Sequence, residues 1–146
     1  MKKILVVHGP NLDLLGKREP QIYGRTSLAQ INNRLRKLAA AHKARLTIKQ
    51  SNHEGLIVDL IGKSRGHYDA LLINPAAYTH TSVAIRDAIA ASGILTVEVH
   101  LSNIYSREEF RHTSLISPVA KGTVLGFGPA SYTLGLQAIL ELIDAT

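Results

Sequence analysis

The sequence predicts an α/β fold: a doubly wound, five-stranded parallel sheet with helices on both faces. Three features point to it. Short runs of aliphatic and β-branched residues alternate with helix-periodic segments along the whole chain, which is the pattern of a parallel sheet covered on both sides. Two of the strand candidates, around Ile4-Leu5-Val6-Val7 and Ala70-Leu71-Leu72-Ile73, are apolar almost throughout. That fits strands buried on both faces, where an alternating pattern would expose one of them. Glycines stand where helices must give way to the next strand, since glycine adopts the left-handed conformation of a helix terminus at little cost. At 146 residues the chain has the length of one domain, and a single domain is expected over 1–146.

Strands are predicted at 3–7, 45–50, 70–74, 95–99 and 122–126, and helices at 27–42, 55–65, 81–92 and 132–145. Thr26 or Ser27 can cap the first helix, because a hydroxyl there accepts an orphan backbone N–H. Leu28, Ile31, Leu35 and Leu38 give that helix one apolar face. Gly66 and Gly93 are expected to close the second and third helices. Right-handed crossovers then lead to the flavodoxin-like strand order 2-1-3-4-5. Residues 102–118 form the one long insertion, with a short helical turn expected in Arg107-Glu108-Glu109-Phe110-Arg111.

Composition narrows the function. Hydrophobic residues make up 45% and charged residues 19%, the balance of a globular protein. There is no cysteine, so disulfides and thiolate-metal sites are excluded, and a reducing compartment fits. No apolar stretch reaches membrane-span length, and the run after Met1-Lys2-Lys3 is too short for a signal peptide, so a cytoplasmic protein without membrane contact is expected. A net charge of +6 favours anionic partners. The densest basic group, Arg34, Arg36, Lys37, Lys43 and Arg45, reads as a solvated helix face. Aromatic residues are only 5%, thin for base stacking, so nucleic acid is not an expected partner.

The chemistry-bearing residues gather just past the strand ends, where doubly wound sheets bind ligands. The first strand runs into a long glycine- and proline-punctuated loop, 8–24, that carries Asn11, Arg18 and Tyr23. A loop of this length is more often a lid or binding loop than a connector. Asn52, His53 and Glu54 follow the second strand, Asn74, Pro75, Ala76, Ala77, Tyr78 and His80 the third, and His100, Leu101 and Ser102 the fourth, with Arg111 beyond. Glu98 and His100 are two apart in a strand and share a face, so the carboxylate can set the imidazole's tautomer and basicity. Arg18 near Tyr23 would favour the phenolate and make a general base available. Three motif readings fail. Gly9 and Gly16-Lys17 have the wrong spacing for a phosphate loop, no G-x-G-x-x-G follows the first strand, and no H-E-x-x-H occurs. His80, Glu98 and His100 make only a weak metal triad, and neither metal nor cofactor is expected.

The segments GPNLDLLGKREPQIYG, NPAAYTHTSVAIRDA, EVHLSN and REEFRHTSLISPVAKG together make the chain resemble the type II 3-dehydroquinate dehydratases of the shikimate pathway. The resemblance covers nearly the whole chain. It implies that Tyr23 removes a proton beside the substrate ketone, with Arg18 on the same lid holding it as phenolate. Asn11 would position a water at the enolate oxygen. His100, oriented by Glu98, would protonate the departing hydroxyl. Asn74 and the backbone N–H groups of Leu101 and Ser102 would bind the substrate carboxylate, and His80 and Arg111 the ring hydroxyls. Asp87 would reach the site of a neighbouring subunit, because the resemblance implies trimers assembled into a dodecamer. Tyr105, where many members have His, and Leu115, where many have an aromatic residue, depart from the pattern outside the implied chemistry. A non-catalytic module binding a small anion is the competing reading. It accounts for the basic charge but not for Tyr23–Arg18 and Glu98–His100 occurring together.

Overall fold

The computed structural model describes residues 1–17 and 19–146, and of Tyr23 the backbone only. It contains strands β1 (Lys2–His8), β2 (Ala44–Gln50), β3 (Ala70–Asn74), β4 (Leu95–His100) and β5 (Gly122–Leu125). They form one parallel sheet in the order β2-β1-β3-β4-β5, as the sequence predicts. The helices are α1 (Pro20–Tyr23), α2 (Leu28–Ala41), α3 (Glu54–Gly62), α4 (Val83–Ser92) and α5 (Ala130–Asp144). Four of them match predicted helices. The extra one, α1, is a single turn of four residues opened by Pro20, too short to leave a periodic signal.

Local chemistry explains the boundaries. Ser27 caps α2: its hydroxyl accepts from Gln30 N at 3.2 Å, and the Gln30 side chain accepts from Ser27 N at 2.9 Å. This reciprocal box satisfies two amides at once. Ile31, Leu35 and Ala39 then point into the core, flanked by partly buried Leu28 and Leu38. α4 starts two residues later than predicted because Ser82 is its cap, accepting from Ile85 N at 2.9 Å. The residues before it, Ala76–His80, wind instead as a 3-10 turn. Gly93 ends α4 in the left-handed region at φ 66°, as expected.

Gly66 does not close a helix. α3 already stops at Gly62, and Gly66 lies in a turn where His67 N and Tyr68 N both donate to Ser64 O at 3.0 Å. The buried Ser64 hydroxyl donates to Ile61 O at 2.6 Å, so a side chain satisfies a carbonyl near the helix end. Residues 102–118 contain two complete 3-10 turns, Ile104–Ser106 and Glu109–Arg111, and lead into a third, Ser117–Val119. The basic group on and after α2 is exposed, as read from the sequence.

Apolar cores lie on both faces of the sheet. On one, Ile4, Val6, Leu72, Val97 and Val99 pack against α2 and α5. On the other, Leu5, Val7, Leu71 and Ile73 pack against Ile57 and Ile61 of α3 and Ile85 and Ile89 of α4. The chain leaving β1 therefore turns to one face, and the chain leaving its neighbour β3 turns to the other. Their divergence opens a crevice at the carboxyl ends of the strands.

α5 approaches the sheet closely because Gly135 has no side chain. A Cβ there would stand 2.6 Å from Val99 Cγ1 and 2.9 Å from Leu72 Cδ1. Gly135→Val is expected to lower stability by about 1–3 kcal/mol through overpacking, measured by urea unfolding. Stability equal to wild type would mean that the helix can move off the sheet without cost.

Candidate active site

The crevice is built from three strand ends. The loop after β1 supplies Pro10, Asn11, Leu12 and Leu15; the segment from the end of β3 supplies Asn74, Ala76, Ala77 and His80; the end of β4 and its insertion supply His100, Leu101, Ser102, Ile104, Arg107 and Arg111. Its floor is held rigidly. Asn11 sits in the left-handed region at φ 67°, and its N–H donates to Asn52 Oδ1 at 2.9 Å. Gln50 Nε2 donates to the same oxygen and to Gly9 O, each at 3.1 Å, and the Tyr78 hydroxyl donates to Asn52 O at 2.8 Å. Gly9 cannot carry a side chain here, because a Cβ would lie 2.5 Å from Pro75 O. The loops after β1 and β3 meet at that contact.

Glu98 and His100 lie in the wall, both buried. His100 Nε2 donates to Glu98 Oε2 at 2.5 Å. The carboxylate is further surrounded by hydroxyls. Thr79 donates to Oε2 at 2.9 Å, Ser117 to Oε1 at 2.5 Å, and Ser114 lies within reach of both oxygens at 3.0 and 3.1 Å. Burial pushes the Glu98 carboxyl up. The hydrogen bond and charge of His100 oppose that, with the Ser117 and Thr79 hydroxyls, and hold it below its ordinary value. An ionised acceptor on Nε2 leaves Nδ1 as the ring nitrogen available to the crevice for proton exchange.

His80 has the opposite arrangement. Its Nδ1–H donates to Thr113 O at 2.8 Å, leaving Nε2 for a ligand. Burial lowers its affinity for a proton, and the nearby charges of His100 and Arg111 add to that. A neutral His80 therefore offers an acceptor suited to a hydroxyl group. Arg111 is held by Glu108 Oε2 at 3.2 Å and lies over the Phe110 ring, 4.9 Å from its centroid. Arg107 lies near the Ser102 hydroxyl, Nη1 to Oγ 3.4 Å. Two guanidinium groups beside donors and a buried acid–imidazole pair suit a small polar anion. No group of three His, Asp or Glu side chains with metal-ligand geometry occurs among the described residues.

The family model for class II dehydroquinase matches residues 2–140. The chain belongs to the class II dehydroquinase family. It is 61% identical over 140 residues to the 3-dehydroquinate dehydratase of Trichodesmium erythraeum, covering 96% of this chain and 93% of that one. It is 59% identical over 137 residues to the Nostoc enzyme of the same name, covering 94% and 93%. The crystal structure of type II dehydroquinase from Butyrivibrio crossotus superposes with a TM-score of 0.92 at 42% identity, covering 94% of this chain and 97% of that one.

In this dehydroquinase-family chain, most of the sequence-selected residues converge. Asn11, Asn74, His80, His100, Leu101, Ser102 and Arg111 all line the crevice, and Glu98 stands directly behind His100. Asp87 does not line it: it lies on the exposed side of α4. Arg18 lies outside the described residues, as does the side chain of Tyr23, so the proposed base and its partner have no described position. Sequence reading missed Arg107 as a lining residue, although a second arginine four residues before Arg111 was a usable signal. It also missed Thr79, Ser114 and Ser117 around Glu98, and it named Asn52 without its bond to Asn11, because hydroxyls and amides scattered over distant segments leave no motif.

Buried polar groups behind the crevice make stability depend on pH. His8 is fully buried in β1, and burial pushes its imidazole from 6.5 down to about 4. Between those values the unfolded chain binds more protons than the folded one, so stability rises with pH. The contribution is complete above pH 6.5 and is lost as pH falls toward 4. Glu98, held below its ordinary value, adds a second loss at still lower pH. Urea unfolding is expected to show roughly 3 kcal/mol less stability at pH 4 than at pH 6.5 from His8. In His8→Leu the decline should become shallower, leaving the share of His80, whose proton affinity burial also lowers; an unchanged slope would assign it to other groups.

Proposed function

We propose that this protein dehydrates 3-dehydroquinate to 3-dehydroshikimate through an enolate intermediate. The observation that carries the reading is a buried Glu98–His100 pair opening into the crevice of a dehydroquinase-family chain. Tyr23, kept as phenolate by Arg18, takes the proton from the carbon beside the ketone. Asn11 positions a water at the enolate oxygen, where charge develops. His100 then gives a proton to the leaving hydroxyl as the carbon–oxygen bond breaks, so a C–H and a C–O bond are lost, a C=C bond forms and water departs. Glu98 orients and steadies the imidazole. Asn74 and the N–H groups of Leu101 and Ser102 hold the substrate carboxylate, while His80 and Arg111 hold ring hydroxyls. The reaction requires no metal, nicotinamide or other cofactor. The working unit is a dodecamer assembled from trimers in the cytoplasm, with Asp87 serving the site of a neighbouring subunit; its exposure on α4 supports that role.

Adding dehydroquinate should produce the absorbance of a conjugated enone. No absorbance change, with the compound still bound, would favour the anion-binding module. Tyr23→Phe should lower kcat by roughly 10²–10⁴ and leave substrate binding nearly intact. His100→Ala should be more severe than Glu98→Gln, since one loses the proton donor and the other only its orientation. The reverse order would contradict the assigned roles.

Borohydride with substrate should leave no adduct. Imine chemistry needs a lysine with a depressed pKa in the crevice, and among the described residues no lysine lines it. Intact-protein mass measures this directly, and a stoichiometric adduct on any lysine would replace the enolate mechanism.

A further inference from the structure

Behind Asn74 lies a buried chain of hydrogen bonds that the reaction described above does not use. Asn74 Nδ2 is 3.0 Å from the Tyr132 hydroxyl of α5. That hydroxyl is 2.9 Å from His8 Nδ1 in β1, and His8 Nε2 is 2.8 Å from Asn32 Oδ1 on α2. Tyr132 and His8 are fully buried and Asn74 is 3% exposed.

The direction of each bond follows from one fixed point. Ala76 N–H donates to Asn74 Oδ1 at 3.0 Å, and a backbone amide can only donate. The Asn74 oxygen is thereby identified, and the group facing Tyr132 is its NH₂. The hydroxyl accepts from Asn74 and must donate its single hydrogen to His8 Nδ1. A neutral imidazole then carries its proton on Nε2, which donates to Asn32 Oδ1. Every group is used once with the correct polarity. The depressed proton affinity of His8 is consistent with the neutral form this polarity needs. Ala76 itself holds a left-handed φ of 53°, uncommon for a residue with a side chain, so its N–H is held in place against a local preference.

We infer that Tyr132, backed by His8, is a positioning residue for substrate binding: with the Ala76 amide it locks the Asn74 side chain so that the second Nδ2 hydrogen faces the crevice as a donor. The oxygen of Asn74 is turned away and occupied. The residue therefore presents a donor, not an acceptor, which suits a carboxylate oxygen and excludes a donor-only ammonium at that point. The inference rests on the proposed reaction for the identity of the carboxylate, though not for the lock itself.

The test is Tyr132→Phe, which removes one oxygen. Because a substrate carboxylate is held equally in the ground and transition states, the loss should raise KM about tenfold and change kcat less than threefold. An inhibitor with the same ring but no carboxylate should bind wild type and variant alike. A KM unchanged from wild type, a fall in kcat without a rise in KM, or an equal loss of affinity for the carboxylate-free inhibitor would each overturn the role. If Tyr132→Phe does not fold, His8→Leu leaves the hydroxyl but removes its acceptor. It should raise KM at least threefold at constant kcat, and a wild-type KM would overturn the proposal. The Asn74 side-chain NH₂ signals in a ¹⁵N–¹H spectrum of ligand-free protein separate the lock from the reaction. The signal of the hydrogen that faces Tyr132 should be protected from exchange in wild type and lose that protection in the variant, whether or not dehydroquinate is turned over.

Discussion

The pairing of β1 with β2 on one side and β3 on the other constrains everything else in this molecule. Once β1 is central, the chain leaving it must cross to one face and the chain leaving β3 to the other. The register sets His8 beside Asn74, and one strand further Ile73 beside Glu98, so that polar residues at three strand ends come to one edge. A slip of one residue would turn the alternating faces over and send these side chains into the opposite core. Catalytic geometry here is a consequence of strand register before it is a property of any loop.

Burying a carboxylate is the second constraint. Glu98 has no solvent contact, and an unpaired charge there would cost several kcal/mol. The segment after β4 supplies two of the hydroxyls that satisfy it, Ser114 and Ser117, and the turn after β3 supplies Thr79. The insertion is therefore tied to the carboxylate that orients His100. It also brings Arg107 and Arg111 to the crevice. One set of contacts thus steadies the acid–imidazole pair and builds the cationic rim.

Elements in which local preference and tertiary environment agree were legible in advance. β1 and β3 are built around the aliphatic runs Ile4–Val7 and Ala70–Ile73, and α2 combines a Ser27 cap with leucine and isoleucine at helical spacing. Misplaced features are those in which a side chain competes with the backbone. Ser82 moves the start of α4, and the Ser64 hydroxyl helps end α3 before Gly66. Glu98 and His100 could be paired from a two-residue spacing because strand geometry is simple, whereas Asn52 behind Asn11, or Tyr132 behind Asn74, are joined only by the fold.

The sequence by itself determined the fold class, the strand order and the family, because those depend on periodicity, chain length between strands and long ungapped similarity. It also named most of the polar residues that line the crevice, since side chains without a packing duty collect at strand ends. Only the tertiary structure decided which of them share a hydrogen bond, which ring nitrogen of His80 and His100 is free, and that the amide of Asn74 is gripped from both sides. Such choices depend on distances of a few tenths of an ångström between segments far apart in the chain. No local pattern of residue types encodes them; they exist only once the cores on both faces of the sheet have closed.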